Sequence, residues 1–260
     1  MKKLHFDYWT EFKYTQPVTE CHYTFKCLPK NTDMQEIAEL NIEVTPEHDC
    51  QRGSDSFGNL TVHDDLYSMH DSFGLRVYGV AHTGLAEGQK MGENEFTGLF
   101  RHPHGLNRGG EGLKAYYRSI ADKGQGALYL MNCLHRDFRY EKGLTHVGTT
   151  AEEAWSLGRG VCQDYAHIFI ALCHLAGLTA RYVTGMMVGE GFSHAWVEVL
   201  EEGVWHGYDP TNGCRVGGDY IKIAAGRDAD DCMINRGTIK GGGWQTQTVT
   251  VRVEELSEGV

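Results

Sequence analysis

The most informative segment of the chain reads Gly158-Arg159-Gly160-Val161-Cys162-Gln163-Asp164-Tyr165-Ala166-His167, a glycine-rich turn followed by a cysteine. The apolar run after it, 168–175, with Gly177 beyond its end, has the length, composition and stop signal of a buried helix. Cys162 is therefore predicted at or near a helix N-terminus, where unpaired backbone N–H groups and the helix dipole favour a negative charge. A thiol in that position ionises more readily, and the thiolate is the nucleophilic form of cysteine.

Two candidate partners for this cysteine lie downstream. His194 belongs to the strand-like run 193–199, and Asp209 ends the next strand-like run before a Pro-Thr-Asn turn. Residues two apart share a strand face, so the aliphatic residues of the first run face the core and His194 points the other way. The short connection 201–203 is of hairpin type, which makes the two strands antiparallel neighbours and lets Asp209 face His194. Cysteine, histidine and aspartate in this order supply a nucleophile, a base and a residue that orients the base.

Each of these residues also has an ordinary structural explanation. Free cysteine is among the most buried residue types, so Cys162 taken alone fits a packed helix start. His194 taken alone fits a sheet histidine, and Asp209 before Pro210 fits a turn. The combination, with separations of 32 and 15 residues along the chain, favours the catalytic interpretation.

The composition describes a globular protein with a substantial core. Lys and Arg number 24 against 35 Asp and Glu, a formal net charge of −11, and 41% of the residues are hydrophobic. Basic residues are neither in excess nor clustered, so no nucleic-acid partner is expected. The acidity also disfavours anionic partners.

The chain shows no sign of export or membrane insertion. Its first nine residues begin with two lysines but develop no apolar stretch of the kind found in secretory signals. The longest apolar stretch, around 168–178, is too short to span a bilayer, so no membrane partner is expected. The eight cysteines form no CxxC pair and are predicted to be reduced thiols. A cytoplasmic location is the expectation.

The pattern along the chain predicts an α+β protein in three parts. Residues 1–82 contain several short period-two runs separated by turns, which is typical of a small β-sandwich or open barrel. Residues 83–110 lose periodicity and are predicted as a linker or irregular loop. Residues 111–260 begin with helical patterns and continue into strands, and they are predicted to form the catalytic core. Within it, Thr149 or Thr150 with a glutamate three residues on predicts a capped helix start.

Four motifs resemble the transglutaminase-like superfamily, and more narrowly its bacterial members that are regarded as cysteine proteases. They are Gly160-Val161-Cys162-Gln163-Asp164-Tyr165-Ala166-His167, Gly177-Leu178-Thr179-Ala180-Arg181-Tyr182-Val183-Thr184-Gly185, His194-Ala195-Trp196-Val197-Glu198-Val199 and Tyr208-Asp209-Pro210-Thr211-Asn212-Gly213. Pro29, Gln35, Pro46 and the run 55–59 resemble the N-terminal β domain of that group. The resemblance implies an N-terminal β-sandwich followed by a papain-like, transglutaminase-like core of helices packed on an antiparallel sheet. It also implies that Cys162 is the nucleophile, His194 the general base and acid, and Asp209 the residue that orients the imidazole.

Further contacts to the reacting group are predicted around the cysteine. The backbone N–H of Cys162 is the first candidate donor to an oxyanion. Gln163, Tyr140 and Trp196 are candidates for a second oxyanion donor or for substrate binding. Fourteen histidines raise the question of a metal, but the sequence has no HExxH motif and no paired Cys/His cluster, so neither a metal nor another cofactor is expected.

The expected reaction is acyl transfer from a peptide or protein amide through a thioester. Water as the acceptor makes the protein a protease or amidase, and a lysine amine makes it a transglutaminase. Hydrolysis is preferred because the chain has neither the multidomain build of animal transglutaminases nor an EF-hand-type calcium loop. A non-catalytic binding module and an acyltransferase that uses a small thioester donor are the alternatives. The sequence does not determine the oligomeric state.

Overall fold

Two large antiparallel sheets and four α-helices build the part of the chain that the computed structural model describes, residues 1–93, 95–121 and 126–257. The strands, in chain order, are β1 (Lys2–Leu28), β2 (Gln35–Thr45), β3 (Gln51–Ser54), β4 (Leu60–Leu66), β5 (His70–Thr83), β6 (Gln89–Lys90), β7 (Arg139–Tyr140), β8 (Arg159–Gly160), β9 (Thr179–Met187), β10 (Gly189–Gly191), β11 (His194–Glu201), β12 (Val204–Asp209), β13 (Cys214–Arg215), β14 (Tyr220–Gly226), β15 (Asn235–Gly241) and β16 (Gln245–Glu255). The helices are α1 (Glu111–Ala121), α2 (Ala127–Asp137), α3 (Ala151–Leu157) and α4 (Cys162–Leu175). The predicted α+β class is confirmed.

The first sheet is organised around β1, a strand of 27 residues that alternates buried and exposed side chains along most of its length. Its first half pairs with β5 and β16, and its second half pairs with β4 and β15. The two halves pack on each other, since the ring of Phe73 on β5 lies 4.8 Å from that of Tyr23 and 6.0 Å from that of Phe25. The N-terminal region is thus β-rich and sandwich-like, as predicted.

Three later strands also belong to this first sheet. β16 pairs with residues Leu4 to Tyr14 of β1, β15 pairs with the second half of β1, and β10 pairs with β16. The sequence placed all of these residues in the core at 111–260. A period-two run predicts a strand but does not identify the strand's partner. The structure therefore assigns 235–255 to the first sheet instead of the core.

The second sheet carries the helices. Its strand order is β13-β12-β11-β9-β14, with β6 also paired to β12. α4 packs against β9 and β11 and is surrounded by the other three helices. Its side chains from Asp164 to Cys173 are all buried, which explains why the sequence of this helix is apolar on every face.

The irregular segment 83–110 packs against the second sheet. It contains β6 and two short 3-10 turns, Thr97–Phe100 and Gly105–Asn107. Glu95 accepts hydrogen bonds from Arg181 Nη1 at 2.6 Å and from Trp205 Nε1 at 3.1 Å. The buried ring of Phe100 packs edge-on against the indole of Trp205. The predicted irregular loop is therefore held to the core by buried contacts.

Two amide side chains of the first sheet region cap the free edge of β14. The Gln35 side chain donates to the carbonyl of Lys222 at 2.9 Å and accepts from its N–H at 2.7 Å. Asn59 makes the equivalent pair with Ala225, at 2.9 and 2.8 Å. Asp55 holds Asn59 in place by accepting from its backbone and side-chain nitrogens. The two amides imitate a neighbouring strand and join the N-terminal region to the second sheet.

All eight cysteines are free thiols. Among the described residues, no helix is long and apolar enough to cross a membrane.

Candidate active site

The start of α4 places the Cys162 thiol. Cys162 is the first residue of the helix, as predicted, and the Asp164 carboxylate closes the first turn by accepting from the N–H of Val161 at 2.7 Å. The Thr145 hydroxyl donates to the same carboxylate oxygen at 2.7 Å. A Cβ at Gly160 would lie 2.4 Å from that oxygen, so only glycine leaves room for it. Gly160 and Asp164 therefore act together: the glycine leaves room for the carboxylate that closes this helix start.

The second sheet brings His194 and Asp209 together at the same helix end. His194 is the first residue of β11 and Asp209 the last of β12, and these strands are antiparallel neighbours. The imidazole Nε2–H donates to Asp209 Oδ2 at 2.7 Å. Cys162 lies close enough to the imidazole to contribute to its raised pKa. The structure thus pairs His194 with Asp209 directly and places both near the cysteine at the start of α4.

The surroundings of the His194 imidazole favour its protonated form. Burial by itself lowers the pKa of His194, but the hydrogen bonds with Asp209 and Cys162 and the negative charges of both groups raise it to about 10. The imidazole is therefore protonated at neutral pH. A protonated imidazole beside a cysteine can donate a proton to a leaving group after nucleophilic attack.

Asp209 is fully buried and accepts five hydrogen bonds. Oδ1 accepts from the backbone N–H groups of Thr211 and Asn212, at 2.9 and 3.1 Å. Oδ2 accepts from His194, from Asn212 Nδ2 at 2.7 Å and from the Tyr220 hydroxyl at 2.8 Å. Burial favours the neutral acid, but these donors outweigh it and hold the pKa of Asp209 below its usual value. The carboxylate is therefore charged and fixed in orientation.

Two of these donors, Asn212 and Tyr220, were not predicted from the sequence. Asn212 follows Asp209 in an Asp-Pro-Thr-Asn turn, and such turns bond the aspartate to backbone groups two and three residues on, so the turn chemistry was a usable signal. Tyr220 lies on β14, two strands from β11 in the sheet, and no local pattern relates it to Asp209. Burial and the Asp209 charge raise the pKa of Tyr220, so the group remains a phenol that donates to the carboxylate.

Trp196 is buried behind His194. Its side chain is 1% exposed and packs against the rings of His194 and Tyr220, with centroids 6.4 and 5.5 Å away. Gly185 makes room for the indole, because a Cβ there would lie 2.3 Å from it. The structure gives no support to the prediction that Trp196 binds an oxyanion or substrate, since the strand face that it shares with His194 is covered at Trp196 by Tyr220 of β14. Its position supports the imidazole from behind.

Tyr140 and Gln163 lie beside the cysteine. Tyr140 is half exposed on β7, where it pairs with Gly160, and burial together with the nearby charge of Cys162 raises its pKa. Gln163 Nε2 donates to the carbonyl of Val147 at 3.0 Å, so its side chain ties the loop 141–149 to the helix start. The N–H of Cys162, at the first helical position, has no partner within the helix. It stays the first candidate oxyanion donor, and the second stays a prediction.

His167, five residues beyond the cysteine, belongs to the core. Its Nε2 accepts from the N–H of Ala229 at 3.1 Å, and burial lowers its pKa to about 4. In the described part of the chain, no group of three or more His, Cys, Asp or Glu side chains is arranged to hold a metal ion.

Two family models together match most of the chain. Residues 113–210 match the transglutaminase-like superfamily, and residues 4–82 match the bacterial transglutaminase-like N-terminal region. An uncharacterized protein of Mycobacterium leprae (strain TN) is 25% identical over 271 residues, which cover 95% of this chain and 97% of that protein. An uncharacterized protein of Mycobacterium tuberculosis (strain ATCC 25618 / H37Rv) is 35% identical over 126 residues, which cover 42% of this chain and 40% of that protein.

A solved structure shares the whole fold. It is the crystal structure of a protein from Cytophaga hutchinsonii described as "a Putative Cysteine Protease". The TM-score is 0.78 with 20% sequence identity, and the match covers 100% of this chain and 92% of that one. The arrangement of an N-terminal β region followed by a helix-covered antiparallel sheet is therefore common to both proteins.

Proposed function

Because this chain belongs to the transglutaminase-like superfamily, we propose that it is a thiol enzyme that transfers the acyl group of a peptide or protein amide through Cys162. The observation that carries the proposal is the 2.7 Å hydrogen bond from His194 to the buried carboxylate of Asp209, beside Cys162 at the start of α4. A cysteine kept only for packing would not need a charged partner with a buried, fivefold hydrogen-bonded carboxylate behind it. An intact triad also argues against a non-catalytic binding module on the same fold.

The first half of the proposed reaction forms a thioester. The Cys162 thiolate attacks the amide carbonyl carbon, and the carbonyl π electrons move to oxygen to give a tetrahedral oxyanion. The N–H of Cys162 is positioned to donate to this oxygen, and one such donor is typically worth about 3–4 kcal/mol. His194 then gives its proton to the amide nitrogen, the C–N bond breaks, and the amine leaves.

The second half transfers the acyl group to water. His194, now neutral, takes a proton from a water molecule, and the oxygen attacks the thioester carbonyl. The C–S bond breaks, the carboxylic acid leaves, and the Cys162 thiolate and the His194 imidazolium are restored. Asp209 remains ionised in both halves and holds the imidazole in one orientation. We propose hydrolysis as the main outcome, and transfer to an amine is the second candidate because it uses the same thioester.

The test is turnover of peptide and isopeptide libraries by wild-type protein and by the Cys162→Ala variant. We expect cleavage by the wild type and a loss of at least about 10³-fold in the variant, since removal of the nucleophile leaves only binding and oxyanion contacts. Cys50→Ala is the matched control, because Cys50 is also a half-buried free thiol but lies outside the site. Including a labelled primary amine distinguishes the acceptors: incorporation of the label supports transfer, and release of acid and amine alone supports hydrolysis.

Alkylation tests the nucleophile without a known substrate. Iodoacetamide is expected to modify Cys162 faster than any of the other seven cysteines, as read from tryptic peptides by mass spectrometry. If Cys162 reacts no faster than the fully buried Cys173, the assignment of Cys162 as nucleophile is wrong.

A further inference from the structure

A groove begins beside the triad and runs between the two sheets. Its cavity measures about 260 Å³, and its lining includes Gln163 and Ser193, the residues next to Cys162 and His194. Tyr182, also in the lining, is close enough to Cys162 for the thiolate charge to raise its pKa, after the larger effect of burial. The groove therefore lies beside the start of α4 and the start of β11, the two elements that carry Cys162 and His194.

The two walls of the groove come from different parts of the chain. Val147, Thr184 and Phe192 belong to the catalytic core, whereas Gln247 and Val249 belong to β16 of the first sheet. Strand alternation explains the second wall: Gln247 and Val249 point into the groove, and Thr248 between them points away. A substrate in the groove would touch the first sheet as well as the core.

The chemistry of the lining indicates what the groove accepts. Neutral polar side chains, among them Gln163, Ser193 and Gln247, can form hydrogen bonds with peptide groups, and apolar side chains lie between them. Among the described residues that line it, none is a lysine or arginine, and Asp230 is the one acid. An anionic ligand would therefore find no counter-charge, while an uncharged or basic one would meet no repulsion.

The rim of the groove is apolar and exposed. Val147 is 69% and Phe192 65% exposed, and these residues stand on the two loops that border the cavity. Lys142, on the same loop as Val147, lies over the Phe192 ring at 5.3 Å, so the two loops meet above the cavity. Exposed apolar groups of this kind mark binding sites more often than free surface.

We propose that this groove binds an extended, non-acidic peptide segment of the substrate and that β16 forms one of its two walls. The proposal rests on the proposed function, because it places the peptide beside a reactive Cys162. It gives the first sheet a direct role in substrate selection. It also names the substrate class as polypeptide, in preference to a small free amide.

The test uses covalent peptide reagents on the intact chain. Acetyl-dipeptidyl chloromethyl ketones carry serine, lysine or aspartate at the residue farther from the reactive group, and the Cys162 thiolate displaces chloride to form a thioether. For wild type we expect the aspartate reagent to inactivate more slowly than the serine and lysine reagents. In Gln247→Lys the ratio of aspartate to lysine reagent rates should rise by about tenfold, since the new charge lies in the wall.

Thr248→Lys is the matched control, with the same charge added one residue along β16 on the opposite face. It should leave the ratio of reagent rates at the wild-type value. A second variant, Phe192→Ala, should slow all three peptide reagents, and iodoacetamide should react with Cys162 at an unchanged rate in every variant. An unchanged ratio in Gln247→Lys, or an equal change in Thr248→Lys, would overturn the proposal. A Cys162 that is unreactive even toward iodoacetamide would instead refute the proposed function.

Discussion

Asp209 carries a full negative charge in a place without solvent. Burial of an unpaired ion is energetically unfavourable. Here five hydrogen bonds to the two carboxylate oxygens of Asp209 offset that penalty. Three of the donors are side chains, from His194, Asn212 and Tyr220. Because the carboxylate cannot rotate without losing several of these bonds, it fixes the imidazole plane opposite the thiol.

The titration of His194 follows from this arrangement. In wild type the imidazole should stay protonated through neutral pH and lose its proton near pH 10, as its raised pKa requires. Asp209→Asn removes a hydrogen bond and a negative charge that both raise this pKa, so the midpoint should move down while kcat falls by about 10⁴-fold. Histidine NMR across pH 5 to 11 measures the midpoint, with His194→Gln to assign the signal.

His167 provides an internal control in the same spectra. Its pKa is lowered to about 4 by burial, so its signal should stay that of neutral imidazole in both proteins. A wild-type midpoint for His194 near the ordinary histidine value of about 6.5 would contradict the ion-pair interpretation. Activity should also decline as pH rises through the His194 pKa, since the leaving amine then finds no proton donor.

The positions of single residues could be predicted where a local pattern defines them. Cys162, His194 and Asp209 lie where the sequence predicts them, at a helix start, a strand start and a strand end before a turn. The burial of Trp196 was not predicted, because strand alternation identifies a face without showing what covers it. The covering strand, β14, comes 24 residues later in the chain.

At the scale of the element, α4 depends on how its first turn is closed. The Asp164 carboxylate binds the Val161 N–H, and Gly160 leaves space for it. α3 begins in a similar way, with the Thr150 hydroxyl accepting from Glu153 N–H and the Glu153 carboxylate accepting from Thr150 N–H. Both starts could be predicted from the sequence, α3 from its capping residues and α4 from the glycine-rich turn before an apolar run.

The Gly160→Ala variant tests whether the first turn of α4 requires glycine at this position. Gly160→Ala would place a Cβ 2.4 Å from Asp164 Oδ2, so the carboxylate must move and the helix start must loosen. We expect the free energy of unfolding to fall by roughly 1–3 kcal/mol. The iodoacetamide rate of Cys162 should fall as well, because the thiol loses its fixed place at the helix N-terminus.

Gly217→Ala is the control for this change. A Cβ at Gly217 meets no atom within 4 Å, so urea unfolding and the alkylation rate should stay close to wild type. If Gly160→Ala behaves like Gly217→Ala in both measurements, the proposed reason for the glycine is wrong.

At the scale of the whole molecule, the second sheet is completed by residues from the N-terminal region. β14, which brings Tyr220 to Asp209, is an edge strand, and its outer groups are capped by Gln35 and Asn59. An exposed strand edge invites pairing with another chain, and the two amides prevent it. The N-terminal region thus supports β14 through Gln35 and Asn59, and the first sheet borders the groove through β16.

Loss of the Asn59 side chain should weaken the contact between the N-terminal region and β14. Asn59→Ala leaves the N–H and C=O of Ala225 buried without partners, and we expect the free energy of unfolding to fall by roughly 2–4 kcal/mol. Asn41→Ala, on the exposed side of β2, should change it by less than about 0.5 kcal/mol. Both free energies are measured by urea denaturation. Equal decreases in the two variants would show that the Asn59 contacts do not stabilise the contact between the N-terminal region and β14.

The sequence by itself determined the α+β class of this protein, the start of α4 and the positions of Cys162, His194 and Asp209 at a helix start, a strand start and a strand end, because each depends on periodicity or turn chemistry within a few residues. Tertiary structure alone decided that 235–255 completes the first sheet, that Tyr220 reaches Asp209 and that Trp196 is buried. These outcomes depend on which strand lies beside which. That choice is made by burial of whole faces and by pairing of free edges across distant parts of the chain, and no local pattern encodes it.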